Sequence, residues 1–336
     1  MNQQSGRVAK WDNLKFLLIL CVVIGHFLSS FEENNPYAQR LIFFIYIFHM
    51  PAFVFVSGLF AKKAIDGKRF DKVFSFLIMF IVTRYILVLG RVIVEQKFGF
   101  YFFTINNVAW YALAICVYYL VTMFLRQFKF GYVLCLALVV ACVSGYARDI
   151  GTFLTLSRLI TFYPFFVLGY YLKADDILRV TGKKQVKIIS AVLLIVIAGI
   201  SYKKADDLYW MMELFRGRRS YLALGDVWEF GALLRFGWYI VALLVVFALI
   251  ALMPSVHTIF TRWGSRTMQV YVLHHLPQDI LFNEVGGILA FELWPGIEFI
   301  VVLVIAFAVT CVLSVKPITI FLNAIIFPRK RIEQER

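Results

Sequence analysis

Charge is scarce in this chain: 16% of its 336 residues are Asp, Glu, Lys or Arg, against 62% hydrophobic, and the mean hydropathy is +0.81. In water such a composition would expose more apolar surface than a soluble protein tolerates, so a soluble fold is excluded and lipid is the solvent. Cysteine is sparse and badly placed for pairing. Cys21, Cys116, Cys135, Cys142 and Cys311 all lie inside apolar runs, none in a polar loop and no two at metal-ligand spacing, so they read as reduced packing residues. No internal repeat, low-complexity tract or soluble stretch appears, and residues 1–336 read as a single membrane domain. Acidic residues are outnumbered, 20 against 34 basic, for a formal net charge of +14. The basic residues form short clusters between apolar runs rather than one solvent face, which argues for membrane topology and against nucleic acid.

What is abundant is apolar sequence in pieces of membrane-crossing length. Runs occur at about 14–31, 41–61, 73–94, 108–125, 131–147, 157–172, 186–201, 235–253, 267–283 and 297–327, most near the ~20 residues that span hydrocarbon. The expectation is an all-α integral membrane bundle of about ten transmembrane helices. His274, His275 and Asp279 interrupt the ninth run, and Lys316-Pro317 is expected to break the last. Arg7, Lys10 and Lys15 precede the first run, which lacks a cleavage site and reads as retained in the protein. With both termini cytoplasmic, most Lys and Arg fall inside, as the positive-inside rule requires. The largest outside loop is then 202–234. It mixes Asp206, Asp207, Glu213, Asp226 and Glu229 with Arg216, Arg218, Arg219 and the rings of Tyr209, Trp210, Tyr221 and Trp228, a combination suited to sugar hydroxyls and C–H faces or to interfacial anchoring.

Ionisable side chains within apolar runs are costly, roughly 2.5–3.5 kcal/mol each on insertion scales, and mark candidate functional positions. His26 lies deep in the first run, eleven residues after Lys15. On a helix that separation is about 16 Å along the axis and about 20° around it, so both side chains share a face. An imidazole at that depth can take a proton from a hydroxyl, while a cation lower on the face can hold an anionic donor; the alternative is a packed, hydrogen-bonded histidine. Glu33, seven residues later, is the candidate carboxylate to orient His26. The second run carries His49, Pro51, Ser57 and Gly58, where irregular backbone or close helix approach can line a cavity. Arg69 and Lys72 open the third run as candidate phosphate ligands. Arg84 and Arg91 share a helix face with Glu95, and Tyr271 and His274 stand three apart in the ninth run.

Together these residues resemble the acyltransferase-3 family of membrane O-acyltransferases, in particular its fucose 4-O-acetylase-like branch. The resemblance rests on Asp12-Asn13-Leu14-Lys15 followed after a ten-residue gap by His26, and on Phe48-His49-Met50-Pro51 with Ser57-Gly58. Arg69 and Lys72 are similar to an Arg-x-x-Arg element with lysine at its second position, which keeps the charge and loses the bidentate fork. Trp110-Tyr111-Ala112-Leu113, Tyr163-Pro164-Phe165-Phe166 with Gly169-Tyr170, and Tyr271-Val272-Leu273-His274 resemble further family segments.

The resemblance implies a multi-pass bacterial inner or plasma membrane enzyme. It would move an acyl group, usually acetyl, from cytoplasmic acyl-coenzyme A to a hydroxyl of a sugar or cell-surface glycan. His26 is expected to be catalytic, as general base or through an acyl-histidine, with Lys15 and Asp12. Lys15, Arg69, Lys72, Ser57 and Gly58 are expected to bind the acetyl-coenzyme A donor. His49, Glu33, Trp110, Arg158, Tyr271 and His274 are the candidates for binding the acceptor. No metal site stands out. The alternative is a transporter or flippase for a lipid-linked sugar, with His26, Arg84, Arg91 and His274 lining its path and no covalent chemistry.

Overall fold

A computed structural model of the protein describes residues 9–95, 107–148, 150–151, 153–282 and 293–326. With 84% helix and no strand among the described residues, the chain is all-α, as expected. The helices are α1 (Ala9–Leu28), α2 (Pro36–Asp66), α3 (Phe70–Glu95), α4 (Trp110–Leu125), α5 (Phe130–Ser144), α6 (Leu156–Tyr171), α7 (Ala174–Thr181), α8 (Lys184–Leu208), α9 (Met212–Arg216), α10 (Gly231–Leu252), α11 (Ile259–Gly264), α12 (Thr267–Leu273), α13 (His275–Phe282), α14 (Pro295–Leu313) and α15 (Lys316–Ile326). Among the described residues six stretches are long and apolar enough to cross a membrane: Ala9–Leu28, Pro36–Asp66, Phe70–Val94, Lys184–Arg216, Tyr221–Leu252 and Pro295–Leu313. Other apolar runs form shorter helices, among them Trp110–Leu125, Phe130–Ser144 and Lys316–Ile326. Apolar side chains such as Phe74, Leu136, Ile195, Leu233 and Val304 stay exposed on the outside of the bundle, where a multi-pass membrane protein meets acyl chains.

α1 and α2 form the centre. Asn35 fixes where α2 begins: its side-chain Oδ1 accepts from the amides of Tyr37 and Ala38, while its Nδ2 donates to Pro295 O and Glu298 Oε2, each at 2.7 Å, joining the starts of α2 and α14. Pro51 has no N–H for the Ile47 carbonyl, and that oxygen is taken up by another helix. Trp238 on α10 donates its indole N–H to it at 3.0 Å, so the proline helps dock α10.

Gly58 faces α6 so closely that an added Cβ would lie 2.2 Å from Phe166 O, and Gly169 reciprocates with 2.1 Å to Phe55 O. Two helices crossing through a glycine on each side is the small-residue contact that membranes favour.

The ninth apolar run divides at His274, because Pro277 cannot donate to the Leu273 carbonyl. In the last run the break falls at Ser314-Val315, leaving Pro317 in the first turn of α15, a position where proline is tolerated. The 202–234 segment is mostly helical rather than an open loop. α8 runs on to Leu208, 3₁₀ turns cover Tyr209–Met211 and Tyr221–Phe230, and α9 lies between them.

Candidate active site

His26 sits two residues before the end of α1 and lines a cavity of about 220 Å³ with Ile19, Val22, Met50, Phe53 and Trp110 among its walls. Its ring makes no hydrogen bond to a described residue. Two imidazoles from the broken ninth run approach it, with ring centroids 5.3 Å away for His274 and 4.7 Å for His275, themselves 5.1 Å apart. His274 is fully buried. Its Nδ1 lies 2.9 Å from the carbonyls of both Val270 and Tyr271, which only accept, so Nδ1 carries the hydrogen and Nε2 offers a lone pair with no partner. Gln278, one turn beyond His274, donates to the His26 carbonyl at 2.7 Å and pins α13 against the end of α1.

Glu33 does not orient His26. α1 ends at Leu28, its last turn closed by Ser29 donating to His26 O at 2.7 Å, and Glu33 is exposed on the turn beyond. The carboxylate that is engaged there is Glu32, which receives Arg216 Nη2 on both oxygens at 2.8 Å and the Tyr209 hydroxyl at 3.0 Å. Glu213 in turn lies within 3.6–3.8 Å of Arg216, Arg218 and Arg219. Glu213, Arg216 and Arg218 are therefore tied into a network with Glu32, while Asp206, Asp207, Asp226 and Glu229 of the same segment stay exposed.

Asp12 and Lys15 form an ion pair at 2.7 Å with Asp12 buried, set near the opposite end of α1 from His26. Nothing in the residue spacing points to the role of Asn13 between them. Its Nδ2 donates to Pro254 O and Val256 O, each at 3.0 Å, and its Oδ1 accepts from Thr258 at 3.1 Å and Thr261 at 2.6 Å. One amide thus clamps the whole 254–261 turn and the start of α11 to α1. Beside it Gly264 runs against the backbone of Asp12, where a Cβ would come within 1.7 Å of Asp12 O.

Lys72 lines a second cavity, of about 270 Å³, that shares Phe76, Met79 and Met268 with the walls of the His26 cavity. The two chambers adjoin, one with a lysine at its edge and the other with the histidine. Arg69 is exposed and folds onto Asp71, with Nε to Oδ1 at 3.1 Å and Nη2 to Oδ2 at 2.7 Å. Ser57 bonds the Tyr111 hydroxyl at 2.6 Å, and Tyr111 lines the His26 cavity; Gly58 is accounted for by the α2–α6 crossing.

Of the acceptor candidates, Trp110 and Tyr271 line the His26 cavity directly. Tyr271 is also a latch, donating to Val108 O at 2.6 Å and accepting from Ala112 N at 3.1 Å at the start of α4. Arg158 is nine-tenths buried, with its guanidinium 5.2 Å above the Trp110 ring; Nε donates to Arg216 O at 3.3 Å, and no carboxylate among the described residues pairs with it. His49 is buried and turned to the Ile45 carbonyl at 2.9 Å, its ring 4.7 Å from Tyr46. The side chain of Glu95 lies outside the described residues.

Fold and site together define a multi-pass membrane protein that sets His26 on the wall of an apolar chamber, with two further histidines beside it. The family model described as an acyltransferase domain matches residues 8–315, and the chain belongs to the acyltransferase-3 family. No curated protein and no solved structure matches it.

Proposed function

We propose that this acyltransferase is an O-acyltransferase that takes acetyl from cytoplasmic acetyl-coenzyme A and delivers it to a hydroxyl of a sugar or cell-surface glycan. The setting would be a bacterial inner or plasma membrane, crossed ten times with both termini in the cytoplasm. The observation that carries this reading is the pair of adjoining chambers, Lys72 on one and the unbonded ring of His26 on the other. Coenzyme A phosphates would meet Lys72, with Arg69 and Lys15 at the same membrane face, and the pantetheine arm would pass between Phe76, Met79 and Met268.

In the reaction, His26 takes the proton of the acceptor hydroxyl as its oxygen bonds to the thioester carbonyl carbon. Collapse of the tetrahedral intermediate breaks the carbon–sulfur bond, and the departing thiolate takes the proton back from His26. The hydroxyl of Tyr111, held by Ser57, stands on the cavity wall as the donor for the intermediate's oxyanion. No step of this route calls for a metal. Arg158 and Trp110 supply a cation and a flat face for the acceptor, the pairing that recognises a sugar carrying an anionic group.

Release of free coenzyme A thiol by purified protein, given acetyl-coenzyme A and a panel of sugars, tests this. Acceptor-dependent release that vanishes in a folded His26→Ala variant supports it. If wild-type protein neither binds nor consumes the donor, the proposal fails and transport of a lipid-linked sugar becomes the better reading.

A further inference from the structure

His26, His274 and His275 each offer one ring nitrogen to a common space, and these atoms all lie within 4.8 Å of one another. Among the described residues this is the one group of three side chains so placed. Nε2 of His274 and Nε2 of His275 are both buried with no hydrogen-bond partner. An unpartnered buried polar atom is costly, and two from adjacent residues beside a third imidazole need an explanation. The hydrogen bonds of His274 through Nδ1 to backbone carbonyls are the outer-shell contacts that fix the tautomer and ring plane of a metal-ligating histidine.

We infer that the three imidazoles form a site for a divalent first-row transition metal, and that its occupation stops acyl transfer by taking the lone pair of His26. Three nitrogen donors and no carboxylate in the set select zinc, cobalt, nickel or copper over calcium and magnesium, which require oxygen. Metal–nitrogen bonds of about 2.0–2.1 Å at a tetrahedral angle put ligands roughly 3.4 Å apart, within reach of ring rotation from the present spacing. His26 itself lines the cavity of about 220 Å³, which has room for a water or small anion as fourth ligand. Asp279 lies four residues after His275 on α13, one turn away.

The exclusion of transfer rests on His26 being the base; the binding does not. Cobalt titration of the full chain in detergent, followed by visible absorption, reads binding without acyl transfer. One equivalent per chain with the intense bands of a four-coordinate ion is expected, weakened at least tenfold in both His274→Asn and His275→Asn. A His257→Asn variant, altered outside the cluster, should titrate like wild type. Absence of these bands, six-coordinate bands, or bands that survive both cluster variants would overturn the site. The second arm is the ratio of thiol-release rates with and without zinc, measured within each protein. It should fall at least tenfold in wild type and return towards one in His275→Asn. Cobalt binding with transfer that ignores zinc, or that a chelator abolishes, would overturn the exclusion and leave the site standing. Cobalt binding by a protein that shows no transfer to any acceptor would leave the metal site standing and sink the acyltransferase reading.

Discussion

Asn13 uses its whole amide. Two donated and two accepted bonds meet the 254–261 turn, and substitution by alanine leaves the buried Thr261 hydroxyl and three partly buried groups without this partner. Such losses cost about 1–3 kcal/mol each where the group is buried, so Asn13→Ala should lower the thermal unfolding midpoint in detergent far more than Asp207→Asn, which disturbs an exposed ion pair with Lys204. Tyr271→Phe removes the bridge to Val108 and Ala112 while keeping the ring. The expected result is a stability loss of about 1–3 kcal/mol with the cavity wall preserved, read by the same melt. Arg158→Gln keeps a donor and loses the charge over Trp110; the KM for an anionic sugar acceptor should rise at least tenfold while the KM for acetyl-coenzyme A stays within twofold, measured by thiol release. His26 is legible as a candidate in the sequence because a histidine deep in an apolar run is expensive. His275 is visible there only as an interruption of the ninth run, since adjacency to His274 says nothing about which face either ring takes until Pro277 breaks the helix. Glu33 misleads because a seven-residue spacing places it on the face of His26 only if α1 continues, and α1 stops at Leu28.

The crossing of α2 and α6 depends on hydrogen as a side chain at Gly58 and Gly169. A Cβ at either would sit on a backbone oxygen of the other helix, and backbone cannot swing aside as a side-chain tip can. Gly58→Ala and Gly169→Ala should each push the helices apart and cost stability, with the double variant less destabilised than the sum because one separation serves both. Thermal unfolding of the two single variants and the pair measures this; additive losses would mean that the contacts are independent. Long apolar runs suffice to locate α1, α2, α3, α10 and α14, because in lipid a run of that length has few alternatives to helix. The 202–234 segment is harder to read. Its charges suggest an open loop, but Glu32, outside that segment, binds Arg216 and Tyr209 and draws it into helical turns over the bundle. A partner that far away in sequence leaves no periodicity to detect.

At the scale of the molecule, two chambers meet at Phe76, Met79 and Met268, with Lys72 at the edge of one, and the proposed donor route runs through them. Lys72→Gln should raise the KM for acetyl-coenzyme A at least fivefold with little change in kcat, and the effect should shrink in high salt, where the lysine of wild type is itself screened. Asn13, near the start of the chain, finds its partners 241–248 residues later, and Gly264 seats on Asp12 beside them. The ribosome delivers those ends far apart in time. Until residues 254–264 are synthesised, the amide of Asn13 has nothing of theirs to hold, so α1 enters the bilayer as a provisional helix. A nascent chain arrested before residue 254 would keep that amide unclaimed, and quality-control proteases would meet the first helix of this enzyme before its later helices had made it part of a fold.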